Sequence, residues 1–187
     1  MTVRYLFTLF ALFLLCSCGE KRIAKEMEKF SGQQIILPAN LTKLGSEDTL
    51  LANLTEVPIK LIVWYDSRDC VLCEATSMYE WDHIAKSVDS LTQWFRMAFI
   101  FTPKEENLRQ VRISLRPYRF KYNIFVDQSA TFSKQNKLPR NRLLHTFLLD
   151  KNNKVVLVGN PQRNPSLWRL YKRTIQTMIA NDGVLPR

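Results

Sequence analysis

The sequence predicts an α/β fold, a three-layer α/β/α sandwich with a mixed central sheet and a short N-terminal extension. Short apolar runs rich in β-branched and aromatic residues alternate with longer amphipathic stretches, which is the pattern of strands connected by helices. Two further apolar runs late in the chain flank a polar turn, which adds an antiparallel hairpin to the sheet. The length of 187 residues is enough for one such domain with its own core.

The strands are predicted from apolar runs that end at turn-forming residues. The run from Pro58 to Tyr65 is almost continuously β-branched or aromatic, as expected for a strand buried on both faces of the sheet. Pro38 ends the first run, because proline cannot donate to a sheet, and Asn152 and Asn153 can adopt the positive φ of a hairpin turn. The predicted strands are residues 33–38, 58–65, 95–101, 122–126, 143–149 and 155–158.

The helices are predicted from apolar residues at three- and four-residue spacing. An apolar stripe that begins after Cys70 predicts an amphipathic helix over residues 70–88. Asn164 is a favourable N-cap and Pro165 a favourable first residue for the last helix, which would end before Asn181. The other predicted helices are a short one after Cys18, a short one within 41–56, residues 104–115 with a Glu105–Arg109 pair, and one turn within 129–142.

The first residues have the features of an export signal, with one positive charge at Arg4, an apolar run from Tyr5 to Leu15, and then small residues. The sequence Leu-Cys-Ser-Cys that follows resembles a bacterial lipobox, and Cys18 would be its lipid-attachment residue. The alternative is an ordinary signal peptide that happens to contain cysteines. Gly19 after Cys18 is not an aspartate, which favours the outer membrane over the inner one.

These features divide the chain into three parts. We expect residues 1–17 to be a lipoprotein signal peptide, 18–32 a membrane tether and spacer helix, and 33–187 the folded domain. The expected location is the cell envelope, with the protein anchored by lipid and facing the periplasm. Basic residues outnumber acidic ones by 27 to 17, but an exported chain meets lipid headgroups and acidic proteins rather than nucleic acid.

Cys70 and Cys73 are the cysteines that remain for chemistry once the N-terminal pair is assigned to the signal and the lipid. In an oxidising compartment they can form a disulfide. A loop this short constrains the unfolded chain little, so stability is a poor reason for the pair. No metal site and no cofactor is expected, because the side chains show no pattern typical of either.

A Cys-x-x-Cys pair between a buried strand and a helix, together with the segments FVDQSATFSKQNKL and TFLLD, resembles the thioredoxin fold in its TlpA-like and AhpC/TSA-like branch. The likeness covers residues 59–179. It implies a thiol:disulfide oxidoreductase whose partners are cysteine-containing exported proteins and a redox partner protein. Cys70, at the helix start, would attack, and Cys73, nearly one turn later, would release the product.

The sequence departs from the family pattern near the pair. Asp69 replaces the usual aromatic residue, and its charge disfavours a thiolate at Cys70, while Arg68 favours one. Leu144 stands where the family has a cis-proline; a cis bond there would cost about 3 kcal/mol, so we expect a trans peptide and a reshaped substrate groove. A noncatalytic scaffold is therefore the main alternative, and peroxide reduction is weaker because the peroxidatic Pro-x-x-x-Thr-x-x-Cys pattern is missing.

His145 is expected beside the pair. It could be a structural imidazole, a proton acceptor for Cys73, or a third soft-metal ligand with both sulfurs, as in copper-handling members of the superfamily. The other histidine, His83, falls well down the predicted helix, which argues against a zinc site. Arg109, Arg112, Arg116 and Arg119 form a basic stripe that is either a solvated face or a docking surface for an acidic partner or lipid headgroups.

Overall fold

A computed structural model describes residues 21–186 of the chain. The expected signal peptide and the lipid-attachment residue Cys18 lie outside these residues. Within residues 21–186, no helix has both the length and the apolar character needed to cross a membrane. Residues 21–30 are helical (α1), in agreement with the short N-terminal helix expected there.

The elements after α1 alternate mostly as the sequence predicts. The helices are α2 Leu50–Thr55, α3 Val71–Thr76, α4 Asp82–Ser87, α5 Leu108–Leu115, α6 Thr131–Asn136 and α7 Pro165–Ala180. The strands are β1 Ile59–Tyr65, β2 Phe95–Phe101, β3 Asn123–Val126, β4 Thr146–Leu149 and β5 Val155–Val158. Short 3₁₀ turns precede or follow several helices, including Met78–Trp81 and Arg142–Leu144.

The sheet has five strands in the order β3-β2-β1-β4-β5. β1, β2 and β3 are parallel, whereas β4 runs antiparallel to both β1 and β5. The mixed sheet is therefore confirmed. The β4–β5 connection is the expected hairpin, and Asn153 in its turn has a φ of 58°.

Helices cover both faces of the sheet, which confirms the three-layer sandwich. On one face, inward side chains such as Leu61 and Val63 of β1 pack against α3, α4, α5 and α7. Both parallel crossovers place their helices on that face, as a right-handed connection requires. On the opposite face, Ile62 and Trp64 pack with α1, α2 and α6. The central strand is buried along its whole length, as its apolar sequence predicts.

The expected first strand is wrong. Residues 33–38 make only an isolated bridge, between Gln34 and Lys154. Instead, residues 32–45 form an irregular segment, which we call the strap, that crosses one face of the sheet from edge to edge. It begins beside β5, where Gly32 donates to Val155 over 2.8 Å, and ends beside β3, where Leu44 donates to Ile124 over 2.7 Å.

Asn136 explains why the strap does not become a strand. Its side-chain oxygen accepts from the backbone N–H of Ile36 (2.6 Å), and its amide donates to the carbonyl of Ile36 (2.8 Å). These backbone groups are thereby satisfied by one buried side chain instead of a ladder. A hundred residues separate the two partners, so local sequence cannot reveal the pairing.

Three other local predictions are corrected. The helix expected over 70–88 is broken at Ser77 into α3, a 3₁₀ turn and α4. Residues 143 and 144 do not extend β4, because Asn141 caps a 3₁₀ turn by accepting from Leu143 N–H. The expected Glu105–Arg109 pair does not form: Glu105 lies in a 3₁₀ turn before α5, outside the helix that would align the two side chains.

Candidate active site

Cys70 and Cys73 lie at the start of α3, just beyond the carboxyl end of β1. They form a disulfide, and their Cα atoms are 5.2 Å apart. Cys70 is the N-cap residue of α3, and both cysteines are exposed. The pair is therefore accessible at a helix start, as the sequence predicts.

The segment Asp66–Asp69 sets the geometry of this helix start. Asp66 is buried and accepts a hydrogen bond from the backbone N–H of Arg68, and its carboxylate is also paired with the guanidinium of Arg68. A tight turn follows, because Asp69 N–H donates to the carbonyl of Asp66 over 3.0 Å. Because the positive charge of Arg68 is paired with Asp66, it does little to offset the negative charge of Asp69 beside Cys70.

The first turn of α3 leaves two backbone N–H groups without a carbonyl partner. Val71 N–H is bonded to the carbonyl of Asp69 over 2.9 Å. No carbonyl in the described part of the chain accepts from Leu72 N–H or Cys73 N–H. Such unpaired amides at the start of a helix favour a thiolate over a thiol.

His145 is buried at the start of β4 and contacts the segment before the cysteines. Its Nε2 lies 3.0 Å from the carbonyl oxygen of Pro139; because a carbonyl can only accept, Nε2 carries the proton. Its Nδ1 faces Asp69, with 3.6 Å between Nδ1 and Oδ2, and has no hydrogen-bond partner within residues 21–186. The ring also packs on Trp64, with 4.2 Å between ring centroids.

Burial controls the protonation of His145. It lowers the pKa of His145 below the ordinary value, because removal from water outweighs the opposing effects of the Pro139 carbonyl and the carboxylate of Asp69. The imidazole is therefore neutral at pH 7, and its free Nδ1 lone pair faces Asp69. Neither ring nitrogen contacts a cysteine sulfur, so a metal-ligand role has no support from this geometry.

A groove of about 390 Å³ opens beside the cysteines. Leu144 lies in a 3₁₀ turn and does not line the groove: its side chain is buried in the core that α1, α2 and α6 cover, and its neighbour Leu143 lines the groove instead. No peptide bond among residues 21–186 is cis, which confirms the trans peptide expected before Leu144. The lining residues are Trp64, Tyr65, Asp69, Glu74, Arg142, Leu143, His145, Thr146, Asn160, Gln162, Arg163 and Asn164.

The groove contains charged residues that the sequence analysis missed. Burial and, secondarily, the carboxylate of Asp69 raise the pKa of Glu74, whereas Arg142 and Arg163 oppose this shift. Arg163 also makes a two-bond ion pair with Glu80, with N–O distances of 2.7 and 2.6 Å. Glu74 could have been suspected because it adjoins Cys73, but nothing local indicates that Arg142 and Arg163 would meet it.

Groups of three or more potential metal ligands are absent from the described residues. His83, the other histidine, is exposed and contacts the carbonyl of Glu80. It does not join the site.

No protein-family model matches the chain, and no curated protein matches it either. Solved structures do. An uncharacterized conserved protein from Geobacillus kaustophilus superposes with a TM-score of 0.59 at 11% identity, covering 84% of this chain and 87% of that one.

Two further neighbours carry names. The C-terminal domain of a candidate thiol-disulfide oxidoreductase from Bacteroides thetaiotaomicron has a TM-score of 0.57 at 14% identity, over 78% of this chain and 96% of that one. The pneumococcal exposed lipoprotein thioredoxin from Streptococcus pneumoniae has a TM-score of 0.50 at 14% identity, over 73% and 96%. With the strand order and the position of the cysteine pair, these likenesses show that the chain has the thioredoxin-like fold.

Proposed function

We propose that the protein is a thiol:disulfide oxidoreductase of the cell envelope, which exchanges electrons with cysteines of exported proteins through Cys70 and Cys73. The observation that carries the proposal is the exposed disulfide at the start of α3, beside a groove large enough for a peptide segment. A pair that served only to hold the fold would gain little from so short a loop.

The exchange proceeds in two balanced steps. The Cys70 thiolate attacks one sulfur of a substrate disulfide, forms a mixed disulfide, and expels the other substrate sulfur as a thiolate. The Cys73 thiolate then attacks Cys70 Sγ, which releases the second substrate thiolate and forms the Cys70–Cys73 disulfide. The substrate gains two electrons and the protein loses two; the reverse sequence oxidises a dithiol substrate.

The surroundings support this assignment of roles. Cys70 is the N-cap residue of α3, and the unpaired amides of the first turn would stabilise its thiolate when the pair is reduced. The auxiliary role proposed for His145 and Asp69 follows from their proximity: Nδ1 and the Asp69 carboxylate, 3.6 Å apart, can take up and share a proton as Cys73 becomes a thiolate. Leu144 supports the turn whose exposed neighbour Leu143 lines the groove, and Arg68 holds the turn before Cys70 through Asp66.

Trapping tests the exchange. A full-length Cys73→Ala protein, exported in a bacterial host and quenched with acid and a thiol-alkylating reagent, should retain substrates as mixed disulfides on Cys70. The matched Cys70→Ala protein should retain none. Equal amounts of reducible adduct from the two variants would argue against the assigned roles.

The redox potential provides a second measure. We expect a midpoint potential for the Cys70–Cys73 couple within the range of known oxidoreductases, roughly −120 to −270 mV. A value far below that range would mark a structural disulfide.

We also propose that the protein is lipid-anchored at Cys18 and faces the periplasm, with the outer membrane favoured. Support comes from the sequence that precedes the domain and from the exposed lipoprotein among the structural neighbours. The Cys18→Ala chain should lose metabolic palmitate labelling and leave the membrane fraction after signal cleavage; retention of label in this variant would refute the anchor.

A binding scaffold without catalysis is the second candidate. The peptide bond before Leu144 is trans, at the position where the family that the sequence resembles has a cis-proline. In that case Cys70→Ser would leave partner binding and any cellular phenotype unchanged. An exchange catalyst would lose its phenotype with the same substitution.

A further inference from the structure

A second surface lies on α5 and the turn that follows it. It consists of Arg109, Arg112, Arg116 and Arg119 with the apolar side chains of Ile113 and Phe120, and we call it the basic patch. Ile113 is 59% exposed and Phe120 is 82% exposed. Isolated exposed apolar residues are ordinary, but here two of them share their concavities with arginines.

The charge of the basic patch is uncompensated. None of its four arginines forms an ion pair with a carboxylate of residues 21–186. The sequence from residue 108 to 121 contains no acidic residue. Within the patch, the guanidinium of Arg119 lies over the ring of Phe120, 4.5 Å from its centroid, so charge and apolar surface are in direct contact.

The surface of the basic patch is concave in two places. Two concavities of about 370 and 490 Å³ adjoin each other, and Ile113, Arg116 and Arg119 line both. Neither shares a lining residue with the groove beside the cysteines. The basic patch and the groove are therefore separate sites.

We propose that the basic patch docks the domain onto an anionic lipid surface, with the arginines on headgroup phosphates and Phe120 and Ile113 entering the boundary with the acyl chains. Arginines around protruding apolar side chains match the order of charge and hydrocarbon at a bilayer surface. An acidic protein would also satisfy the arginines, but side chains as exposed as those of Phe120 (82%) and Ile113 (59%) have the exposure that insertion at a membrane surface requires. The inference goes beyond the redox proposal and does not depend on it.

Depth-dependent fluorescence quenching tests the docking. The full chain carrying Phe120→Trp is reconstituted into vesicles of brominated phosphatidylcholine with or without phosphatidylglycerol. Leu170→Trp, on α7 at a position 43% exposed, is the matched control. After subtraction of the wild-type signal, we expect at least twofold stronger quenching for Phe120→Trp than for Leu170→Trp in anionic vesicles, and no difference in zwitterionic ones.

Charge reversal completes the test. In the Phe120→Trp chain, Arg112→Glu with Arg116→Glu should abolish the additional quenching, whereas Lys172→Glu with Arg173→Glu on α7, an equal change in charge, should leave it. Flotation verifies that each chain is bound to vesicles in equal amount, so quenching reports orientation. Equal quenching at positions 120 and 170, or quenching that does not respond to the patch substitutions, would overturn the proposal. Disulfide exchange is measured separately and tests the redox proposal alone.

Discussion

Asp69 is the residue on which the chemistry of the site depends most closely. It precedes Cys70, its carboxylate faces the neutral His145 at 3.6 Å, and the nearby arginine is already committed to Asp66. Its negative charge therefore lies next to Cys70, and Arg68 offsets it little because Arg68 is paired with Asp66. The helix start favours the Cys70 thiolate and Asp69 opposes it, so this carboxylate sets how strongly the sulfur is activated.

Asp69→Asn should raise the reactivity of Cys70. Removing the negative charge from the residue next to Cys70 is expected to increase the thiolate fraction of Cys70 at pH 7 roughly threefold. The measurement is the rate of iodoacetamide alkylation of the Cys70 peptide, followed by mass spectrometry in the Cys73→Ala background. The control is Asp89→Asn, an exposed site in the 3₁₀ turn that follows α4. A rate unchanged by Asp69→Asn would show that the carboxylate does not act on the sulfur.

His145 makes stability depend on pH. Because burial lowers its pKa in the folded protein, the unfolded chain takes up this proton at higher pH than the folded chain does. The contribution of His145 to the free energy of unfolding is thus fully present above the ordinary histidine pKa of about 6.5 and falls as the pH decreases through the lowered value.

Urea unfolding of the wild type and of His145→Gln at pH 8 and pH 5 measures this contribution. Glutamine keeps an N–H for the Pro139 carbonyl but does not titrate. The wild type should lose more stability than the variant between the two pH values. Parallel losses would mean that His145 is not held neutral by its surroundings.

At the scale of elements, the sequence predicted those structures that depend on local pattern. β2 has the predicted bounds, and α7 begins with the predicted cap, in which Asn164 accepts from the N–H of Leu167. Both cysteines and the trans peptide before Leu144 were also predicted. Each of these depends on residues close together in the chain.

The remaining features depend on contacts between distant residues. Asn136 converts the expected first strand into the strap, and Asn141 ends β4 early by capping a turn. The charged residues of the groove come from separate parts of the chain. Arg163, in the loop before α7, pairs with Glu80, which lies 83 residues earlier in the 3₁₀ turn after α3. No window of sequence contains both partners of such a contact.

At the scale of the whole molecule, the strap connects the two edges of the sheet, beside β5 and beside β3. It contributes Ile35, Leu37 and Leu41 to the core beneath α6 and the sheet, and Asn136 fixes it at one point. Substitution of Asn136 should therefore destabilise the packing of the strap, α1, α2 and α6 on this face of the sheet.

Asn136→Ala should lower the free energy of unfolding by roughly 2–3 kcal/mol, because it removes three hydrogen bonds of a buried side chain, two to Ile36 and one to the carbonyl of Phe132. Urea unfolding gives the magnitude, and amide hydrogen exchange should show faster exchange across residues 33–36 than in β1. The exposed Gln135→Ala on the same helix is the control and should change stability by less than about 0.5 kcal/mol. A stable Asn136→Ala protein with slow exchange in the strap would contradict this role.

The strap also determines how copies of the protein behave toward one another. Each outer strand of the sheet, β5 on one side and β3 on the other, has its unpaired backbone groups partly occupied by the same segment, through Gln34 and Lys43. Open strand edges recruit other chains into intermolecular sheets. Because the strap shields both edges, two copies that collide find fewer unpaired strand groups through which to form a shared sheet.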